Sequence, residues 1–392
     1  MTRLGLRTAF ERIGAWSAAH IATQQAALLS EQRRAWRRLS SGSSVVAAAL
    51  ETRPGATPFE RVLELGSVSL RRYRGARPAR QRTPVLICYA LINRPYILDL
   101  MPDKSVVQQY LQGGFDVYLI DWGTPTDADR GLTLADYVET LLGRAVDFIL
   151  NEHGCESLHL LGYCMGGTLT TLFTALRPGL VETLTLLAAP IDFSGRESLL
   201  NVWADRRHFD VDAFVDAYGN CPAAFLQACF LYTRPVQNLV EKVVGFCDQM
   251  DDPRFLQNYF AMERWVNDNI PVAGETFREF VKKLYQENQL VRGQFYLGGE
   301  RVELARISCP LLLLTAESDH LVHPSSTLQL REHVGSLDVE SMMIDAGHVG
   351  LVVSSKAHRS FWPAAVRWLA DRSPRQASVA GRPSSHHPRG IG

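Results

Sequence analysis

The strongest chemical signal in the sequence is a cysteine between glycines, in the run GYCMGG at residues 162–167. An apolar run of strand length precedes it and a helical pattern follows it, which is the arrangement of a nucleophile elbow. Such a turn forces the nucleophile into strained dihedral angles and leaves no room for side chains at the flanking glycines. The helix also directs its positive amino end at the sulfur, which favours the thiolate. We therefore expect Cys164 to be a nucleophile.

An elbow nucleophile needs a general base and an acid that orients the base, and they follow it in the order acid, then histidine, in loops after later strands. Asp319 lies two residues after the apolar run CPLLLLTAE, and His348 lies two residues after DVESMMIDA. Both positions fall at the carboxyl end of a predicted strand, on the same sheet edge as the elbow. We expect Asp319 to be the acid and His348 the base. His320 and His323 are rival bases, but they follow the acid's own strand.

The oxyanion of such a reaction needs backbone donors. The N–H of Met165, directly after the nucleophile, is the first expected donor, and the second should come from residues 90–93, where the choice of amide stays open. The sequence has no zinc-ligand spacing, no phosphate-binding glycine loop and no dinucleotide fingerprint. We therefore expect neither a metal nor a cofactor.

The elements that must position these residues alternate between short apolar runs and helical patterns. The apolar runs lie at 84–90, 115–121, 158–162, 184–190, 309–317 and 338–346. A helix is predicted over 132–150, with one apolar face formed by Leu134, Val138, Leu141, Ala145 and Phe148. Short buried strands separated by helices predict an α/β protein with a mostly parallel, doubly wound sheet.

One interval, residues 192–305, interrupts this alternation. It is rich in aromatic and charged residues, and its helical patterns at 213–232 and 275–290 come without a convincing buried strand. An insertion of this kind predicts a helical cap over the carboxyl edge of the sheet, where open α/β folds bind ligands. The predicted organisation is a basic N-terminal helical arm (1–49), a catalytic core (50–191 and 306–372), a helical cap (192–305) and a disordered tail (373–392).

Composition limits the classes of function. Of 392 residues, 46% are hydrophobic and 21% charged, and 41 Lys and Arg balance 41 Asp and Glu. This is a globular composition, and zero net charge gives no general reason to expect binding to nucleic acid. Seven scattered cysteines without a Cys-x-x-Cys pair favour a reducing cytoplasm over a disulfide framework. No apolar run approaches the roughly 18 residues of a membrane span.

Arginine is concentrated in two segments. Residues 1–40 contain seven Arg against two Glu, which suits an arm for a partner, a membrane or an inclusion surface, or equally a solvated helix. The run RRYRGARPARQR at 71–82 contains six Arg and no acid. We predict a solvated loop there, with an anion site as the alternative.

Six stretches of the chain together match the pattern of one family. They are YALINRPYILDL (89–100), GFDVYLIDWGTP (114–125), LLGYCMGGTL (160–169), MERWVNDNIPVAGETFREFVKKLYQ (262–286), ESDHLV (317–322) and GHVGLVVSSKA (347–357). They resemble the catalytic subunits of polyhydroxyalkanoate synthases, specifically the short two-component classes III and IV. The resemblance covers about residues 50–371 and implies an α/β-hydrolase fold with a helical cap inserted between core strands. The N-terminal arm and the C-terminal tail have no counterpart in it.

The resemblance also implies a function. The reaction would be the polymerisation of (R)-3-hydroxyacyl-CoA, most often (R)-3-hydroxybutyryl-CoA, into a growing polyester with release of CoA. Cys164 would hold the chain as a thioester, His348 would be the general base, and Asp319 would be the third member, which also acts on the substrate hydroxyl. A second, non-catalytic synthase subunit and a location in the cytoplasm at the surface of polyester granules are implied. The resemblance leaves open whether the chain belongs to class III or class IV and whether it forms a homodimer.

Three other functions remain. A cysteine hydrolase of the dienelactone hydrolase type has a similar elbow but lacks a large cap, whereas here 155 residues separate Cys164 from Asp319. A polyester depolymerase or thioesterase shares the fold but normally carries serine. The non-enzymatic alternative is a granule-associated binding protein with a degenerate site. The presence of all three candidate residues disfavours it. Cysteine favours transfer over hydrolysis, because a thiolate that attacks a thioester forms another thioester and keeps the acyl group activated.

Overall fold

The computed structural model describes residue 55 and residues 57–76, 78–235, 237, 242–249 and 251–373. The predicted arm (1–49) and, except for its first residue, the predicted tail (373–392) lie outside these ranges. The chain divides into two compact units, one of residues 1–53 and 235–264 and the other of 54–234 and 265–392. This division does not coincide with the predicted cap, and the domain boundaries stay a prediction. The candidate site residues all belong to the larger unit.

The larger unit is built on an eight-stranded sheet. Its strands are β1 (Phe59–Leu65), β2 (Val68–Tyr73), β3 (Val85–Cys88), β4 (Val117–Asp121), β5 (Leu158–Tyr163), β6 (Val181–Leu187), β7 (Leu311–Ala316) and β8 (Val339–Ile344). They lie in the order β1-β2-β4-β3-β5-β6-β7-β8. The strands β4-β3-β5-β6-β7-β8 are all parallel to their neighbours in this order. Strand β2 runs antiparallel to both β1 and β4. The mostly parallel sheet predicted from the sequence is confirmed.

Burial explains why the inner strands read as continuous apolar runs. Every residue of β3, β4, β5 and β7 is buried, as expected for parallel strands that are covered on both faces. At the edges of the sheet burial falls: in β8 only Ile344 is buried, and no residue of β1 is. Because β5, β6, β7 and β8 pair in parallel, the carboxyl ends of β5, β7 and β8 lie on one edge of the sheet.

The prediction of a solvated loop at 71–82 is wrong for its first residues. Arg71 and Arg72 lie in β2, which forms an antiparallel hairpin with β1 at the edge of the sheet. Arg71 forms an ion pair with Asp121 of β4, and Arg72 forms one with Asp116 at 3.0 Å. Carboxylates on and next to the neighbouring strand neutralise these arginines, so a strand accommodates them.

The helices complete the connections between strands and form much of the insertion. In chain order they are α1 (Val106–Gln112), α2 (Gly143–His153), α3 (Met165–Leu176), α4 (Leu199–Trp203), α5 (Val211–Tyr218), α6 (Ala223–Thr233), α7 (Lys242–Gln249), α8 (Pro253–Asn267), α9 (Gly274–Glu279), α10 (Pro324–Leu328), α11 (Gly350–Val353) and α12 (Trp362–Asp371). The helix start at α1 follows from its cap, since the Ser105 hydroxyl accepts the Gln108 N–H at 2.9 Å.

The helix predicted after the second apolar run begins as a π-helical segment, Asp136–Leu142, and continues as α2. This changes which side chains reach the core. Leu142 and Ile149 are buried, whereas Leu141 and Phe148 of the predicted apolar face are only half-buried. A π turn contains one residue more than an α turn, so it rotates the apolar face relative to regular helical spacing.

Two long helical patterns predicted between β6 and β7 are broken in the structure. The pattern at 213–232 forms α5 and α6, which are separated at Gly219, with φ 71°, and Pro222. Neither residue continues a helix readily. The pattern at 275–290 forms α9 and a π-helical segment, and a two-residue ladder joins Leu297 to Glu300 where no strand was predicted.

Candidate active site

Cys164 occupies a strained turn at the carboxyl edge of the sheet. It lies between the last residue of β5 and the first residue of α3, with φ 55° and ψ −130°. A non-glycine residue in such a conformation costs about 1–3 kcal/mol and persists only where its surroundings enforce it. Here the Cys164 N–H donates to the Leu187 carbonyl at 2.9 Å, and the Cys164 carbonyl accepts the Gly167 N–H at 2.8 Å. Both backbone groups of the cysteine are thus fixed by neighbouring elements.

Two glycines of the elbow make the turn possible. A Cβ at Gly162 would collide with Gly167 and with the Thr170 hydroxyl, and a Cβ at Gly166 would collide with the Cys88 carbonyl oxygen. Because these two residues are glycines, β5, α3 and the end of β3 approach more closely than any side chain would allow. Cys164 is the N-cap residue of α3 and so lies at the positive amino end of this helix.

Asp319 and His348 are joined by a hydrogen bond at the same edge of the sheet. His348 Nδ1 lies 2.7 Å from Asp319 Oδ2, and both residues are 5% exposed. Asp319 Oδ1 accepts the N–H groups of Leu321 and Val322, each at 2.9 Å. A carboxylate only accepts, so this bond places the His348 proton on Nδ1 and leaves Nε2 available. The two backbone bonds in turn fix the orientation of the carboxylate.

The pKa of His348 reflects this environment. Burial by itself lowers this pKa. The charges of Asp319 and Cys164, and hydrogen bonds with both, raise it, so the pKa of His348 lies well above its ordinary value. The Cys164 thiol therefore interacts with the imidazole that Asp319 orients. The structure brings the three predicted residues together.

The rival histidines do not bind Asp319. His323 is engaged elsewhere, with its Nδ1 2.8 Å from the Ser325 hydroxyl at the start of α10. His320 Nδ1 is buried and has no hydrogen-bond partner among the described residues. Burial, followed by the charge of Arg234, lowers the pKa of His320 to about 4. Neither side chain can be oriented by Asp319 as His348 is.

Comparison with known proteins assigns the chain to a family. A model of the α/β hydrolase fold family matches residues 83–354. The poly(3-hydroxyalkanoate) polymerase subunit PhaC of Haloferax mediterranei is 41% identical over 88% of this chain and 72% of its own length. The proteins of the same name from Allochromatium vinosum and Synechocystis are 39% and 40% identical, over 86% and 81% of this chain and 95% and 85% of their own. The chain belongs to the poly(3-hydroxyalkanoate) polymerase subunit family.

Membership in this polymerase family confirms three predictions: the family itself, the α/β-hydrolase fold class, and an enzyme of the poly(3-hydroxyalkanoate) polymerase kind. It favours the polymerase over the dienelactone hydrolase and binding-protein alternatives. The roles of Cys164, Asp319 and His348 stay predictions, because proximity alone does not demonstrate a reaction.

Met165, the predicted oxyanion donor, is the first residue of α3 and is 5% exposed. Amides in the first turn of a helix have no intrahelical acceptor, so its N–H is free of the helix ladder. In the loop after β3, the Tyr89 carbonyl accepts the Trp122 Nε1–H at 2.8 Å, which fixes the peptide that carries the Ala90 N–H. The donor role of Met165, and the choice of a second amide within residues 90–93, stay predictions.

Sequence reasoning missed the tyrosines near Cys164. Tyr89 and Tyr163 are buried, and Tyr285 is half-buried. Burial raises the pKa of all three, and the charge of Cys164 contributes to each shift, so they surround the thiol as neutral phenols. Tyr285 also contacts Phe193, with ring centroids 4.8 Å apart, and both rings line a cavity of about 150 Å³. The elbow motif contains Tyr163, but nothing in the sequence indicated that Tyr285 lies nearby.

The other cysteines have different surroundings, and all seven cysteines of the chain are free thiols. Burial raises the pKa of five of them, Cys88, Cys155, Cys221, Cys229 and Cys309. These thiols are poor nucleophiles near neutral pH. Across the described ranges, no group of three or more His, Cys, Asp or Glu side chains could hold a metal ion. Within those same ranges, no helix is both long and apolar enough for a membrane crossing.

Proposed function

We propose that the protein polymerises (R)-3-hydroxyacyl-CoA, with (R)-3-hydroxybutyryl-CoA as the main monomer, into polyester and releases CoA. One observation carries the proposal: in a chain of the polymerase family, a cysteine in a strained turn lies beside a histidine that is hydrogen-bonded to a buried aspartate. The CoA thioester supplies the activated acyl group, so the proposed reaction uses neither a cofactor nor a metal.

In the proposed first step, His348 Nε2 takes the proton of the Cys164 thiol. The thiolate attacks the carbonyl carbon of the acyl-CoA, and the Met165 N–H stabilises the oxyanion. The bond from this carbon to the CoA sulfur then breaks, and CoA leaves as a thiol with the proton that His348 held. One thioester replaces another, so the step is close to isoenergetic and the acyl group stays activated.

In the proposed elongation step, the 3-hydroxyl group of a further monomer attacks the carbonyl carbon of the Cys164 thioester. His348, which Asp319 orients, takes the proton of this hydroxyl. An ester bond forms as the bond to the Cys164 sulfur breaks, so the lengthened chain is now a CoA thioester. The Cys164 thiolate then attacks this thioester, the chain returns to the sulfur, and CoA leaves as a thiol with the proton that His348 took. The hydrogen bond between Asp319 and His348 supports this account, because it directs Nδ1 at the carboxylate and leaves Nε2 as the nitrogen that takes and returns the proton.

We also propose that the chain works with a second, non-catalytic subunit, in the cytoplasm at the surface of polyester granules. The name of the relatives, which calls them polymerase subunits, supports a partner. Copurification of tagged protein from cells that make polyester tests this directly. A chain that is fully active alone and absent from the granule fraction would contradict it.

The main reaction is tested by incubating the protein, alone and with the protein that copurifies with it, with (R)-3-hydroxybutyryl-CoA and measuring CoA release and the mass of the product. We expect polymer and CoA from the wild type and from Cys155→Ala, the matched control, and neither from folded Cys164→Ala. Unchanged CoA release by folded Cys164→Ala would refute the nucleophile. Free 3-hydroxybutyrate without polymer would refute polymerisation and indicate thioester hydrolysis.

A further inference from the structure

Tyr163 contacts the candidate base in two ways. It is the last residue of β5 and is 1% exposed. Its hydroxyl donates to the backbone carbonyl of His348 at 3.2 Å, and its ring stacks on the imidazole with centroids 5.2 Å apart and planes inclined by 24°. A single side chain thus holds both the backbone and the ring of His348.

These contacts supply a restraint that Asp319 does not. The hydrogen bond to Asp319 fixes the direction of Nδ1 but leaves the imidazole free to tilt about that bond. Stacking on a fixed aromatic plane limits this tilt, and the direction of Nε2 depends on it. Because Tyr163 directly precedes Cys164 in the chain, the same backbone segment carries the thiol and the ring that sets the plane of the base.

Tyr163 is itself held in place. It also contacts the Tyr89 ring, with centroids 5.5 Å apart. The Tyr89 hydroxyl donates to Asn93 Oδ1 at 2.6 Å, and its carbonyl accepts from Trp122 Nε1 at 2.8 Å. The loop after β3 therefore braces the tyrosine that stacks on the base.

The charged and titratable groups that interact with His348 are Asp319, Cys164 and His320. Tyr163 stays neutral in their presence, because burial raises the pKa of its hydroxyl, so it remains a hydrogen-bond donor to the His348 carbonyl.

We propose that Tyr163 is a positioning residue: it holds the imidazole plane of His348 so that Nε2 faces the thiol of Cys164. This inference rests on the proposed roles of Cys164 and His348. A residue that only packs in the core would change the stability of the fold. A positioning role requires in addition that the ring and the hydroxyl of Tyr163 each change the reactivity of the Cys164 thiol.

The test measures the rate at which iodoacetamide alkylates Cys164, by peptide mass, from pH 5 to 9 in Tyr163→Phe and Tyr163→Leu. Loss of the hydroxyl in Tyr163→Phe should slow alkylation at pH 7 by about threefold, as one ordinary hydrogen bond allows. Loss of the ring in Tyr163→Leu should slow it more than tenfold and move the rate profile to higher pH. Tyr110→Leu, a buried tyrosine that contacts Phe115 and Trp362, is the control for lost packing.

Each outcome separates this inference from the proposed function. If Cys164 of the wild type reacts no faster than Cys155, the proposed nucleophile fails. If Cys164 reacts fast but both Tyr163 variants keep the wild-type rate and profile, the positioning role is overturned. Equal slowing in Tyr163→Leu and Tyr110→Leu overturns it as well. Should Tyr163→Leu fail to fold, the rate and profile of Tyr163→Phe decide, with Tyr110→Phe as its control.

Discussion

Replacement of Asp319 by Asn removes one negative charge from the site and keeps the shape of the side chain. In the wild type, Oδ1 accepts two backbone N–H groups at 2.9 Å and Oδ2 accepts from His348 Nδ1 at 2.7 Å. An amide has a single oxygen, and we expect it to keep the two backbone bonds. Its NH₂ group then faces Nδ1, so the imidazole moves its proton to Nε2, the nitrogen that must accept the thiol proton.

The magnitude follows from the bond that is lost. A hydrogen bond to a charged group contributes about 1.5–3 kcal/mol, and each 1.4 kcal/mol is tenfold in rate, so CoA release by Asp319→Asn should fall by about 10- to 150-fold at pH 7. Asp319 also raises the pKa of His348, so its removal lowers that pKa. An ordinary thiol ionises without a base above a pH of about 8.5, so the deficit should shrink as the pH rises past that value.

The assay is the initial rate of CoA release from (R)-3-hydroxybutyryl-CoA between pH 6 and 10. Asp345→Asn is the matched control, because Asp345 lies three residues before His348, is 71% exposed and pairs only loosely with Lys356 at 3.5 Å. We expect the control to keep the wild-type profile. A folded Asp319→Asn variant with wild-type activity at pH 7, or with a deficit that grows at high pH, would refute the reasoning.

Two further predictions concern the scaffold. Gly166→Ala should lower the free energy of unfolding by more than about 3 kcal/mol, since its Cβ would meet the Cys88 carbonyl oxygen, whereas Gly179→Ala meets nothing within 4 Å; equal melting temperatures would contradict this. His159, bonded to the Thr183 hydroxyl, has its pKa lowered to about 3 by burial. The unfolded chain therefore binds a proton near pH 6.5 that the folded chain does not bind. The free energy of unfolding, measured with urea, should fall by about 2 kcal/mol from pH 6.5 to 5. His159→Gln should lose less over that range, and an equal loss would exclude His159 as the cause.

The parts of the structure that local sequence determines could be predicted. The run CPLLLLTAE became β7, and the glycines around Cys164 placed it at the junction of a strand and a helix. The order of Asp319 and His348 after two later strands was sufficient to pair them, because the carboxyl ends of parallel strands share one edge. Strand length, turn chemistry and chain order carry this information.

Contacts between distant segments could not be predicted. The arginine-rich run predicts solvation, because the sequence does not show that Asp116 and Asp121 lie beside the arginines of β2. The bond from Tyr163 to the His348 carbonyl joins residues 185 positions apart. The π-helical start before α2 depends on how the helix packs, since the apolar spacing alone fitted a regular helix. In each case the deciding partner lies on another element.

The central claim is that Cys164 carries the acyl chain, and the most direct measurement is the mass of the Cys164 peptide after brief exposure to (R)-3-hydroxybutyryl-CoA and an acid quench. We expect a 3-hydroxybutyryl or oligomer adduct on this peptide in the wild type, much less of it in His348→Gln, and none on the peptide of Cys155. CoA release with an unmodified Cys164 peptide, or an adduct on another residue instead, would contradict the account.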